Sequence, residues 1–116
     1  MAAAVTMLLA TPTAVHADHS KSDRGVHVDV RGSGLHVKSA GGYVDGHTTH
    51  EARLFVIRPN GSRYNLTGWK DGKLAEAGMT KLTMWDWKLN KSFPHKTRIC
   101  LQVEGRSGRP CVTIQD

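Results

Sequence analysis

Short runs with period-two alternation, each closed by glycine, proline or asparagine, set the strongest limit on what this chain can become. VHVDV places Val26, Val28 and Val30 on one side of an extended backbone and His27 on the polar side. ARLFVIR (52–58) ends at Pro59-Asn60-Gly61-Ser62, a strong turn signal, so RYNLTGW (63–69) reads as its returning hairpin partner. Residues 80–89, 97–104 and 110–115 read as further strands, with a loop at 90–95 around Pro94. KDGKLAEAG (70–78) reads as a loop with room for one helical turn, because LAEA favours helix. Six or seven short strands and no long helix define an all-β chain, a small antiparallel β-sandwich. An immunoglobulin-like arrangement leads among sandwiches. The inter-sheet cysteine spacing of antibody domains is missing, which leaves the topology open.

The alternation changes phase early. Val26, Val28 and Val30 are even-numbered, whereas Leu35 and Val37 are odd. One regular strand cannot carry both sets on one face, so a bulge or a turn must lie at Gly32-Ser33-Gly34. DHSKSDR, before the valines, is polar and aperiodic and reads as flexible. The expected division is a signal peptide at 1–17, an N-terminal arm with a strand-like segment at 18–34, and the sandwich proper at 35–116. Gly41-Gly42 interrupts the first strand of that sandwich.

The signal peptide rests on MAAAVTMLLATPTAVHA: an apolar run, Pro12, then Val15 and Ala17 at the −3 and −1 positions of a cleavage site. The run is too short to span a bilayer. No Lys or Arg precedes it, so the sequence reads as beginning inside the signal. The formal charge of +6 selects acidic partners, which outside a cell means cell-wall polymer, anionic lipid or acidic protein rather than nucleic acid.

Secretion also decides how Cys100 and Cys111 read. An even count in an oxidising compartment indicates a disulfide; a covalent dimer or two free thiols are the alternatives. If Gly105-Arg106 makes a two-residue turn, Glu104 faces Ser107, and counting outward brings Cys100 opposite Cys111.

Catalytic signatures are missing. There is no GxSxG, HExxH, CxxC or phosphate-cradling glycine loop, and the acids Asp71, Glu76, Asp86 and Glu104 have no paired-carboxylate spacing. The reading is therefore a non-enzyme with no catalytic residues and no cofactor. Seven histidines include His47-Thr-Thr-His50, but a zinc site needs three or four ligands, so no metal is expected.

TMWDWK (83–88) poses the sharpest question. Trp85 and Trp87 share one face of a strand, while Leu82 and Met84 share the other, so both faces are apolar. Three readings follow. The tryptophans fill the core; or they stand exposed as a platform for a sugar or a protein; or both faces are covered, one by a partner or by the N-terminal strand.

A secreted chain, a free N-terminal segment (DHSKSDRGVHVDV), one compact β-domain and a late cysteine pair (CLQVEGRSGRPC) together resemble the small adaptor of actinobacterial umbrella toxin particles. The resemblance implies a protein that links a large polymorphic toxin to lectin subunits. Its arm would enter a cleft on the lectin, and its β-domain would hold the toxin's repeat ring. The expected function is a secreted, extracellular adaptor with larger secreted protein subunits as partners. Its partner-binding candidates are Lys21, Arg24, Val26, Val28 and Val30 on the arm, with Trp85 and Trp87 on the domain. One alternative is a carbohydrate or cell-wall polysaccharide binder that stacks sugar on Trp69, Trp85, Trp87 and Tyr43. Another is a protease inhibitor presenting the basic loop 105–109 or the arm around Lys21.

Overall fold

A computed structural model describes residues 19–116. The proposed signal peptide at 1–17 lies outside the described residues. Ten strands follow in order: β1 (His19–Asp23), β2 (Val26–Ser33), β3 (His36–Asp45), β4 (Glu51–Ile57), β5 (Arg63–Asn65), β6 (Lys70–Asp71), β7 (Lys73–Ala77), β8 (Thr80–Ser92), β9 (Arg98–Val103) and β10 (Cys111–Thr113). All pairings are antiparallel. One sheet runs β1-β2-β3-β8-β7 and the other β10-β9-β4-β5, with β6 against the start of β4.

That order is immunoglobulin-like. Taking β2, β3, β8 and β7 as A, B, E and D, the second sheet becomes G, F, C and C′. The links β3–β4 and β8–β9 cross between the sheets, as a Greek key requires. The departure is β1, an additional strand outside A.

The core is the space between the inner faces. Val26, Val28, Val30, Val37, Ala40, Val44 and Trp85 come from one sheet, and Ala52, Leu54, Val56, Ile99, Leu101, Val103 and Val112 from the other. VHVDV is thus an integral strand. Its three valines are 0, 1 and 1 % exposed, so the sandwich begins at β1 and β2 rather than at residue 35. Both devices offered for the phase change are present. The β2–β3 register shifts between Arg31 and Gly32, and a two-residue turn at Gly34-Leu35, with Gly34 at φ 58°, folds β2 onto β3.

Three other expectations are corrected. The described part of the polar stretch before the valines is strand, HSKSD: Arg24 and Gly25 both take positive φ (49° and 83°), the signature of a type I′ turn that hairpins β1 onto β2. KLAEA forms β7 rather than a helical turn, because pairing with residues 80–84 overrides helix propensity over so few residues. Gly41 and Gly42 do not break β3. A Cβ on Gly42 would collide with the His27 carbonyl and the Leu101 side chain, and one on Gly41 with the Trp85 carbonyl. Glycine lets β3 lie closely between its neighbours there.

Candidate functional site

Trp85 answers the alternation question. It is 3 % exposed in the core, and its indole N–H donates to the Lys70 carbonyl at 2.9 Å. Trp87 lies half-buried against the same core, with the Lys70 ammonium 5.4 Å from its ring. Met84 faces outward. The other rings are also engaged. Arg53 stacks on Trp69 at 4.2 Å, Arg58 on Tyr64 at 4.2 Å and Arg63 on Phe55 at 4.0 Å. His27 and Tyr43 stack on each other at 4.3 Å. An aromatic platform for sugar needs a free ring face. Trp85 is buried, and one face of Trp69 and one face of Tyr43 are already covered.

The outer face of the first sheet carries an open groove of about 750 Å³, lined in part by Asp29, Arg31, Tyr43, Lys70, Met84 and Asp86. Three of its charged side chains, Asp29, Arg31 and Asp86, form an ion-pair group. The Arg31 guanidinium lies 2.6 Å from Asp86 and 3.6 Å from Asp29, and the Lys70 ammonium donates to the Asp86 carbonyl. No three His, Cys, Asp or Glu side chains converge among the described residues. His47 faces the Ala75 carbonyl at 3.2 Å, and His50 lies beside Gly105.

The cysteine register is as counted. Cys100 faces Cys111 and the two are bonded, with Cα atoms 4.0 Å apart. The turn differs: Arg106 N–H donates to the Val103 carbonyl, which centres it on Glu104-Gly105, and Gly105 has φ 77°. Loop 105–109 does not stand free as an inhibitor loop would. Gly108 is buried against the Asp23 backbone, and Arg109 N–H donates to the Asp23 carboxylate at 3.0 Å.

The arm candidates therefore divide. Val26, Val28 and Val30 are used up in the core, whereas Lys21 and Arg24 are exposed on β1 and its turn. β1 contributes no side chain to the core, and it forms one lateral edge of its sheet. The pair flanking a two-residue turn exchanges hydrogen bonds and the pattern alternates, so Ser20 and Ser22 aim their N–H and C=O groups outward.

The opposite edge is β7. Its hairpin with β8 closes through Gly78-Met79, and it exposes Leu74 (57 %) and Met79 (102 %). Sequence reasoning passed over this hairpin, although a two-residue link with glycine first was its available signal. The first sheet thus ends on both sides in an exposed five-residue strand, one polar and one tipped with apolar side chains. Compared with protein-family models, curated proteins and solved structures, the chain matches none.

Proposed function

We propose that this protein is a secreted, non-catalytic adaptor that joins two larger proteins of an extracellular, toxin-type assembly. One observation carries the reading: the five-stranded sheet ends in two exposed strands, β1 and β7, at opposite sides of a well-packed core. Such an edge offers unpaired backbone groups and recruits a strand from another chain. Any open sheet has two edges, and a linker is a protein that uses both. The cross-strand disulfide suits an oxidising compartment.

The test is capture from the producer's culture supernatant with a tagged chain, followed by identification of what co-elutes. Two secreted proteins in fixed proportion are expected. Deleting residues 18–25 removes β1 and its turn but no core side chain, so the domain should stay folded and lose one of the two. Unfolding of that variant, or capture of nothing by the intact chain, overturns the reading.

A further inference from the structure

The arginines fall into two groups. Arg31, Arg53, Arg58 and Arg63 each meet a carboxylate or an aromatic ring. The guanidinium groups of the other four meet neither among the described residues: Arg98, alone at the far end of β9, and the group of Arg24, Arg106 and Arg109. Yet these three occupy one end of the molecule. A Cβ on Gly25 would lie 4.0 Å from the Arg106 guanidinium, and one on Gly108 would lie 3.2 Å from the Arg24 Cβ. Arg109 is tied by its backbone to Asp23. The disulfide holds one of the two turns, and hairpin pairing holds the other. The nearby acids Asp23 and Glu104 each accept a backbone N–H, from Arg109 and Glu51.

Arg24 also sits where arginine is a poor choice. The first central position of a type I′ turn favours asparagine, aspartate or glycine, because φ is positive. Positive φ is shared by Lys96 and would mean little by itself. Combined with two further unspent guanidinium groups on the apposed loop, it indicates that charge is kept at a conformational cost.

We propose that Arg24, Arg106 and Arg109 form a carboxylate clamp, which receives acidic side chains at one end of the polypeptide segment that pairs with β1. The proposal rests on the docking reading above and specifies the partner's chemistry. The occupant follows from what adjoins the clamp: the free edge of β1 ends at Arg24 and pairs with backbone amides, which a polypeptide has and a phosphate polymer lacks. Guanidinium groups take carboxylates in paired hydrogen bonds.

Two fluorescein-labelled ten-residue peptides test it, identical strand-forming sequences ending in three Glu or three Gln, read by fluorescence anisotropy. The Glu peptide should bind more tightly, and raising the salt should erase the difference. Arg24→Asn and Arg109→Gln should each weaken the Glu peptide about fivefold and leave the Gln peptide unchanged. Arg24→Asn should do so with an unchanged or higher Tm, since asparagine suits that φ, which separates lost binding from lost folding. Ser22→Pro, which removes an outward N–H from the edge, should weaken both peptides. If the arginine variants bind the Glu peptide as the native chain does while Ser22→Pro still weakens it, the clamp is overturned and the edge reading survives. If neither peptide binds, both are overturned. Inorganic polyphosphate that binds through the arginines and ignores Ser22→Pro overturns the carboxylate assignment.

Discussion

Two adjacent residues in β8 show how one position decides between core and surface. Trp85 and Met84 point to opposite faces of the strand, and both are large and apolar. Only Trp85 meets the facing sheet, and Gly72 makes room for its ring: a Cβ there would lie 2.9 Å from the indole. Removing that ring leaves a cavity that a small sandwich cannot close. Trp85→Ala should therefore cost about 3–5 kcal/mol, and urea denaturation should register it as a lower midpoint with little change in slope. Met84→Ser, one residue away, should stay within about 0.5 kcal/mol. Equal losses at the two positions would mean that Met84 is covered by another surface in solution.

At the scale of elements, the disulfide is the clearest case of a feature readable from sequence. Cys100, Cys111 and the glycine-rich link between them fix a register that survives even though the turn is centred on Glu104-Gly105 rather than Gly105-Arg106. A turn on Glu104-Gly105 pairs Val103 with Arg106 and by itself would bring Arg109 opposite Cys100, so two extra residues must loop out to bring Cys111 there, and the stretch 106–110, without strand structure, accommodates them. Closing so short a loop should stabilise the domain by about 2–3 kcal/mol. The double variant Cys100→Ala/Cys111→Ala should lose that amount in thermal or urea denaturation. The strands with strong alternation, β2, β4, β8 and β9, were legible for the same reason: one face is buried and the pattern records it. β1 and β7 were not. HSKSD and KLAEA bury almost nothing, so no hydrophobic pattern marks them, and only their neighbours make them strands. That blind spot covers the candidate site itself. Edge strands used for docking have little core to imprint on the sequence. The turns Arg24-Gly25 and Gly78-Met79 were the remaining signals. The valines assigned to docking illustrate the converse, because alternation reports burial without saying whose core is being built.

For the whole molecule, the arrangement of the two edges makes a quantitative claim. β2, β3 and β8 lie between β1 and β7, so the edges stand four strand spacings apart, about 19 Å. Perturbations further apart than about 10 Å, with no shared side chains, add in free energy. The strands between them form a rigid core whose central strand is pinned by Gly41 and Gly42 against both neighbours, which leaves no evident two-state element to couple the edges. The proposed adaptor should bind its two partners independently. Ser22→Pro should weaken one partner and Leu74→Ser/Met79→Ser the other. Each affinity, measured by calorimetry with the purified partners, should be the same whether or not the second partner is bound. The combined variant should lose both affinities by the factors seen separately. If saturating one edge changes affinity at the other by more than about fivefold, corresponding to roughly 1 kcal/mol of coupling, the sheet is transmitting a conformational change and the rigid-spacer account fails.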